Sequence, residues 1–216
     1  MESKFENKGN KNPKVVAPKS GDICKMYLNR GDLEDPDTFN MFVKAVENLV
    51  RKDPRYTNYI AELKKLGYTR DVFQAGIDSN RFPNTAVEMH HGPLFTLYDI
   101  VSIVTDHLLA NDEKVCTFKV ADIVLTEHEL GRIQVVMGLT ESNHQLCHCG
   151  KLFIHMDQAI GDLMGFIKDF KKGFRKEHLF TMEEYFRMCK QYEATDNDYL
   201  LLRSAVEKIG KYMEKY

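Results

Sequence analysis

Four of the chain's eight histidines fall in two closely spaced pairs, and this spacing limits the folds that could use them together. His144 and His148 are four residues apart, which places their imidazoles on one face of a helix. His90 and His91 are adjacent at the end of a short apolar segment, where a strand would point them in opposite directions. A fold that joins such a strand to such a helix could use one histidine of the adjacent pair as a metal ligand and the other as a base.

The segments around these histidines predict a strand, a second strand and a short helix, in that order. Residues 86–91 are short, apolar-rich and partly alternating, and residues 133–139 are a buried strand candidate. Thr140 can cap the following segment and Gly150 can end it, so a helix is predicted over 141–149.

Apolar spacing predicts that most of the remaining chain is helical, so the expected fold class is α+β and mainly helical, with one short β-hairpin. Two helices are predicted between Asp37 and Leu66, separated at Pro54. Further helices are predicted near 97–109, 119–130, 157–173, 181–193 and 196–215, with a strand candidate at 151–154. The domain organisation expected is a flexible tail over 1–22, a helical segment over 23–58, a core over 59–156 and a helical segment over 157–216.

Composition and cysteine usage narrow the class of protein. The formal net charge is -2, so any contact with nucleic acid must be local. No apolar run reaches the roughly 18 to 20 residues of a membrane span, and the first residues lack the apolar stretch of a signal peptide. Five cysteines without a C-x-x-C pair argue against a disulfide framework. These features predict a cytoplasmic protein without a membrane partner.

The histidine segments resemble the HNH endonucleases and the related colicin-type nucleases. The match runs through residues 87–93 and 139–148, and the resemblance covers roughly residues 56–156. In that family a strand ending in His-His or Asp-His, a second strand and a helix form a ββα-metal core, and the helix is often written L-C-x-x-C-H-x-x-x-H. The compact organisation also resembles nuclease-like proteins of bacterial viruses.

The resemblance implies a role for each histidine in hydrolysis of a phosphodiester. His90, His144 and His148 would bind one divalent ion, which could be Mg²⁺, Mn²⁺, Ni²⁺ or Zn²⁺. His91 would be the general base, because an imidazole is largely neutral at cellular pH. The expected partner is nucleic acid, with DNA favoured over RNA.

The sequence departs from the family pattern at the structural cysteines. Thr140 and Asn143 stand at two of their positions, and Val72 and Ala75 stand at the other two. A four-cysteine zinc site is useful only when complete, so we expect the domain to fold without structural zinc. The two helices predicted near 97–109 and 119–130 also stand as an insertion between the predicted strands.

The second departure concerns the residue that gives the family name its middle letter, which is normally Asn or His just before the second strand. Val135 occupies the closest aligned position, so His128, or less favourably Gln134, must orient the base or contact phosphate. The alternative for His128 is an ordinary surface histidine on a helix, beside Glu127 and Glu129. A protein that keeps the scaffold without catalysis, as a nucleic-acid-binding or protein-interaction module, is therefore the second hypothesis.

Two further patterns have competing explanations. Cys147, Cys149 and His155 could form a thiolate zinc site with one histidine of the helical pair. A basic run interleaved with aromatic residues could bind phosphates, or it could be a helix whose aromatic side chains face the core. The nucleic-acid-binding candidates in this run are Lys168, Lys171, Lys172 and Arg175.

Overall fold

The computed structural model describes residues 27–28, 31–82, 86–148, 151–192 and 196–213. They form an α+β fold that is mainly helical, as predicted, and the tail predicted over 1–22 lies outside them. The helices of these ranges are α1 (Pro36–Lys52), α2 (Pro54–Lys65), α3 (Leu97–Ala110), α4 (Thr117–Glu129), α5 (Glu141–His148), α6 (Leu163–Phe170), α7 (Lys176–Gln191) and α8 (Asp196–Met213). The strands are β1 (Tyr27–Leu28), β2 (Val87–His91), β3 (Val115–Cys116) and β4 (Val135–Thr140).

Local capping signals set the starts of the first helices. Asp35 accepts a hydrogen bond from the Thr38 amide at 2.9 Å and caps α1, whose first residue is Pro36. Asp53 ends α1 and caps α2, accepting from the Arg55 amide at 2.8 Å. Because proline lacks an amide hydrogen, it is well tolerated at a first helical position. The two helices predicted before Gly67 are confirmed.

The segments predicted as 23–58, 59–156 and 157–216 all contribute side chains to one hydrophobic core. Helix α3 is buried on most of its surface and lies at the centre of this core, with Ile103 and Val104 fully buried. Side chains from every helix except α5 enter the same cluster. The residues inserted between the paired strands, α3 and α4, are therefore part of the main core.

The pair of strands β2 and β4 carries the first two histidines. The strands are antiparallel, with His90 opposite Val136 and His91 opposite Val135. A bulge interrupts the register at Gly138, which has a φ of 91°. A Cβ there would lie 1.9 Å from the Arg70 carbonyl oxygen, so only glycine allows the 66–82 loop to pack this closely on the strand. The second sheet pairs β1 with β3.

Helix α5 is confirmed, whereas the elements after it differ from the prediction. Residues 151 and 152 form a bend and residues 153 and 154 are irregular, so the predicted strand is absent. The Lys151 amide instead bonds back to the Leu146 carbonyl at 2.9 Å and closes α5. The helix predicted from residue 157 begins at Leu163, since Ile160 bridges to β4 first and Asp162 caps α6. Helix α7 begins at Lys176, five residues earlier than predicted.

Candidate metal centre

Three of the predicted site residues meet where β2 faces α5. The ligand nitrogens of His90, His144 and His148 all lie within 4.8 Å of one another. The Nε2 atoms of His144 and His148 are 3.0 Å apart, and the His90 ring centroid is 5.0 and 4.8 Å from theirs. The structure thus brings together the three histidines that the sequence analysis names as metal ligands. Tetrahedral ligation of one ion at about 2.0 to 2.1 Å from each nitrogen would place the nitrogens about 3.3 Å from one another, so the rings that lie further apart would have to move closer together.

Packing holds α5 in the position that this convergence requires. Cys147, the residue before His148 on α5, forms a small buried cluster with Val136 of β4 and with Ile154. Burial raises the pKa of the Cys147 thiol to about 12, so it remains neutral. Cys149, the other thiol of the predicted zinc alternative, lies outside the described residues. Among those described, the three-histidine group is the candidate set of metal ligands.

The environment of the cluster lowers the pKa of two of its imidazoles, those of His90 and His148. Burial, followed by the neighbouring histidines His148 and His144, lowers the pKa of His90 to about 3. Burial and the proximity of His144 also lower the pKa of His148. Metal ligation requires neutral imidazoles, so His90 and His148 do not have to lose protons before they bind an ion at neutral pH.

Glu88 determines which nitrogen of His144 faces the cluster. Its carboxylate contacts Nδ1 of His144 and leaves Nε2 directed toward His148. A carboxylate that accepts from the outer nitrogen of a histidine fixes the tautomer and the ring orientation of a metal ligand. Sequence reasoning missed Glu88. Its position two residues before His90, on the same strand, is the signal that could have found it.

His91 and His128 form a separate pair on the opposite face of the sheet. Their Nε2 atoms are 3.0 Å apart, and His128 Nδ1 lies 2.8 Å from the Val124 carbonyl oxygen. Because that carbonyl can only accept, His128 donates through Nδ1 and accepts from His91 Nε2. Tyr56 stacks on the His91 ring. Burial is the main cause that lowers the pKa of His91 well below its usual value and that of His128 to about 4.

This placement corrects two expectations. His128 is 1% exposed, so the alternative of a surface histidine is wrong. His91 is 6% exposed and packs against the helical core, so its imidazole does not face an attacking water in this structure. Gln134 is the other candidate for orienting His91. Its side-chain oxygen is buried and has no hydrogen-bond partner among the described residues, so this oxygen does not hydrogen-bond to His91 as His128 does. Val135 is a buried strand residue opposite His91.

A carboxylate connects the segments where the family pattern has zinc-binding cysteines. Asp71 accepts from the Thr140 amide at 2.7 Å and from the Asn143 side chain at 2.9 and 3.0 Å. Burial would raise the pKa of Asp71, but these and other hydrogen bonds outweigh burial and hold its pKa below the usual value. The adjacent Val72 amide bonds to the Gly138 carbonyl at 2.9 Å. We call Asp71, Thr140 and Asn143 the Asp71 clasp.

The predicted basic run is divided between two environments. Phe166, Phe170 and Phe174 are buried, which confirms that the aromatic residues face the core. Arg175 forms an ion pair with Asp106 at 2.5 Å, so the protein itself engages the guanidinium and the predicted phosphate contact is not supported there. The remaining candidates also differ, because Lys172 bonds to the Asn111 side chain at 2.6 Å whereas Lys168 and Lys171 are exposed.

Fold and site together define a mainly helical α+β protein with a three-histidine cluster between a β-strand and a short helix. A family model described as "Bacteriophage G278-like virion protein" matches residues 2–213, and the chain belongs to this family. The expected origin in a bacterial virus is thereby confirmed. No curated protein and no solved structure matches the chain significantly. Among the described residues, the helices are too short or too polar to cross a membrane.

Proposed function

We propose that this virion protein is a metal-dependent endonuclease of the HNH type that hydrolyses phosphodiester bonds of nucleic acid, with DNA as the favoured substrate. The convergence of His90, His144 and His148 is the observation that supports this function most strongly. These residues come from a strand and a short helix in the order of a ββα-metal core. The proposal gives a chemical reason for three adjacent imidazoles, one buried and two partly buried, at the junction of β2 and α5.

The donor set fits a single divalent ion. Three imidazoles suit Zn²⁺ or Ni²⁺ better than Mg²⁺ or Mn²⁺, which prefer oxygen ligands. When bound, the ion would stabilise negative charge on the scissile phosphate and lower the pKa of an attacking water. Glu88 would keep His144 in the tautomer that ligates through Nε2. With three protein ligands, at least one coordination position stays open for substrate.

The role of His91 is a separate part of the proposal. Its neutral imidazole and its bond to His128 fit a base held by an orienting residue. However, the His91 imidazole lies on the face of β2 opposite to the His90 imidazole, and it therefore points away from the cluster. In this conformation we assign His91 and His128 to positioning β2, and direct proton abstraction by His91 would require the imidazole to become accessible from the cluster.

Cleavage of plasmid DNA by the purified protein tests the function. The assay is run separately with Mg²⁺, Mn²⁺, Ni²⁺ and Zn²⁺, with the natural protein, with His144→Ala and with Gln145→Ala. Gln145 is an exposed neighbour of His144 on α5 and serves as the matched control. We expect metal-dependent cleavage that His144→Ala removes and Gln145→Ala retains. A third variant, His91→Ala, separates the two roles of His91, because loss of a general base typically costs about 10² to 10⁴ in rate whereas we expect a smaller loss from a residue that only positions β2.

Two results would overturn the nuclease proposal. One is the absence of cleavage of DNA and RNA with all four ions. The other is equal cleavage by the natural protein and His144→Ala, which would assign the activity to another site or to a contaminant. Circular dichroism of each variant establishes that the fold is retained before rates are compared.

The second candidate function is a non-catalytic virion component that keeps the scaffold for binding. Val135 at the middle position of the pattern and the inward orientation of His91 favour it, as does the family's description as a virion protein. On this account the histidine cluster would bind a metal to stabilise α5 without cleaving nucleic acid. Metal binding without cleavage in the plasmid assay would select this candidate.

A further inference from the structure

A groove between α6 and α8 is lined by basic side chains that the histidine site does not use. Its volume is about 760 Å³, and Ile167 and Ile209 contribute apolar surface to its lining. Five basic and two acidic residues line it, which gives the groove a local excess of three positive charges in a chain of formal net charge -2. The basic residues are Arg132, Lys168, Lys171, Lys208 and Lys211.

The acidic residues of the groove are already engaged. Asp169 pairs with Arg132, which also lies 3.7 Å from Glu127. Asp162 accepts from the Gly165 amide at 2.9 Å and caps α6. The four lysines, by contrast, are exposed and form no ion pair with any residue in the described ranges. Their charges are available to an external partner.

The lysines form two pairs with the spacing of one helical turn. Lys208 and Lys211 lie on α8, and Lys168 and Lys171 lie on the last turn of α6 and the 3-10 turn that follows. Residues three apart on a helix are neighbours on its surface, so each helix presents two ammonium groups to the groove. Two facing pairs of like charge are suited to an extended polyanion, because a single small anion would neutralise only part of this charge.

The groove lies near the candidate metal centre. Arg132 precedes Val136 by four residues, and Val136 is the cross-strand partner of His90. At about 3.5 Å per residue and about 5 Å across the pair, the Cα atoms of Arg132 and His90 are less than about 20 Å apart. Successive phosphates of one DNA strand are about 3.4 Å apart along the axis, so a duplex of about ten base pairs is long enough to contact both places.

We propose that the groove lined by Lys168, Lys171, Lys208 and Lys211 binds the phosphate backbone of nucleic acid and directs it toward the histidine cluster. The proposal rests on nucleic acid being the substrate of the proposed nuclease, although binding in the groove does not require cleavage. It retains Lys168 and Lys171 from the sequence prediction and adds the two lysines of α8, which lie about 40 residues further along the chain.

Salt-dependent binding without divalent metal tests the groove. The probe is a fluorescently labelled DNA duplex of about 20 base pairs, and binding is followed by fluorescence anisotropy with a chelator present. The test variant is Lys168→Gln with Lys208→Gln, and the control is Lys52→Gln with Lys64→Gln, which removes the same charge from exposed positions on α1 and α2. We expect the slope of log affinity against log salt to fall by about 1.8 in the test variant, about 0.9 for each lost phosphate contact, and to stay unchanged in the control.

The outcomes separate this inference from the nuclease proposal. An unchanged slope in the test variant, an equal fall in the control, or failure of the natural protein to bind the duplex at low salt overturns the groove assignment. If the lysines contribute to binding but the protein cleaves no nucleic acid, the groove assignment stands and the nuclease proposal is rejected. If the protein cleaves nucleic acid but its binding does not depend on the four lysines, the nuclease proposal stands and the groove assignment is rejected. Circular dichroism confirms that both double variants are folded.

Discussion

At the scale of the residue, Glu88 links the candidate metal centre to its strand. The carboxylate contacts Nδ1 of His144, and 44% of its side chain remains exposed beside the cluster. Removing an outer partner of this kind typically lowers metal affinity by about 10- to 100-fold. We therefore expect Glu88→Ala to weaken Co²⁺ binding by that factor, as measured by calorimetric titration.

A matched control distinguishes orientation from charge. Glu141→Ala removes the same charge from an exposed position on α5, and we expect it to change the affinity little. Glu88→Gln keeps an oxygen acceptor for the Nδ1 hydrogen and should be intermediate. Equal weakening by Glu141→Ala would show that general electrostatics, and not the orientation of His144, sets the affinity.

The buried His128 predicts how stability depends on pH. Burial holds its pKa at about 4, whereas the unfolded chain has a pKa of about 6.5. As pH falls below about 6.5 the unfolded state takes up the proton first, so the stabilisation present above that pH is lost toward pH 4. The contribution of one such group is up to about 1.4 kcal/mol per pH unit in this window.

Replacing His128 with phenylalanine keeps a buried ring but removes the titration. We expect the free energy of unfolding of His128→Phe to fall less steeply between about pH 6.5 and pH 4 than that of the natural protein. Urea unfolding at a series of pH values measures this. Parallel profiles for the two proteins would mean that His128 does not titrate differently in the folded and unfolded states.

The residues of the site could be predicted from sequence only where local periodicity places them. The four-residue spacing of His144 and His148 requires only a helix, and the adjacency of His90 and His91 requires only a strand. The contacts of Glu88 with His144 and of His91 with His128 span 56 and 37 residues. They depend on strand register and helix packing, which single-sequence patterns do not specify.

At the scale of the element, the Asp71 clasp joins the 66–82 loop to the start of α5. Asp71 accepts three hydrogen bonds from the backbone amides of Phe73, Gln74 and Thr140, and the Asn143 side chain donates to both of its carboxylate oxygens. A buried carboxylate with several donors can replace a metal as the connection between two segments. This arrangement explains how the domain can fold without the cysteines at Thr140 and Asn143.

Removing the clasp should destabilise the fold, whereas removing metal should not unfold it. We expect Asp71→Ala to lower the free energy of unfolding by about 3 kcal/mol, because it leaves buried donors without an acceptor. Asp157→Ala, at an exposed position, is the control. A chelator should leave the far-ultraviolet circular dichroism unchanged. Unfolding by chelator alone would indicate that a structural metal, and not Asp71, holds the loop.

The elements were predicted well where apolar periodicity is long and less well where tertiary contacts override it. Helices α1 to α5 and strands β2 and β4 match the predictions closely. Residues 151–154 were expected to form a strand, but they close α5 through the Leu146 carbonyl. The late start of α6 has a similar cause, since Ile160 pairs with Val135 before the helix begins.

At the scale of the whole molecule, a single core positions two faces of one small sheet. The face with His90 meets α5, and the face with His91 meets the helical core that α3 and α4 help to form. Net charge gave no sign of the basic groove, because the two lysine pairs belong to helices that only the fold brings together. The segments predicted as 23–58, 59–156 and 157–216 thus contribute to one core around the site.

The central claim is that His90, His144 and His148 together bind one divalent ion. Titration of the metal-free protein with Co²⁺, followed by visible absorption, measures this directly because the spectrum reports both stoichiometry and ligand geometry. We expect saturation at one ion per chain for the natural protein and for Gln145→Ala, and loss of the absorption in His144→Ala. Absence of the absorption in the natural protein, or an identical titration of His144→Ala, would contradict the account.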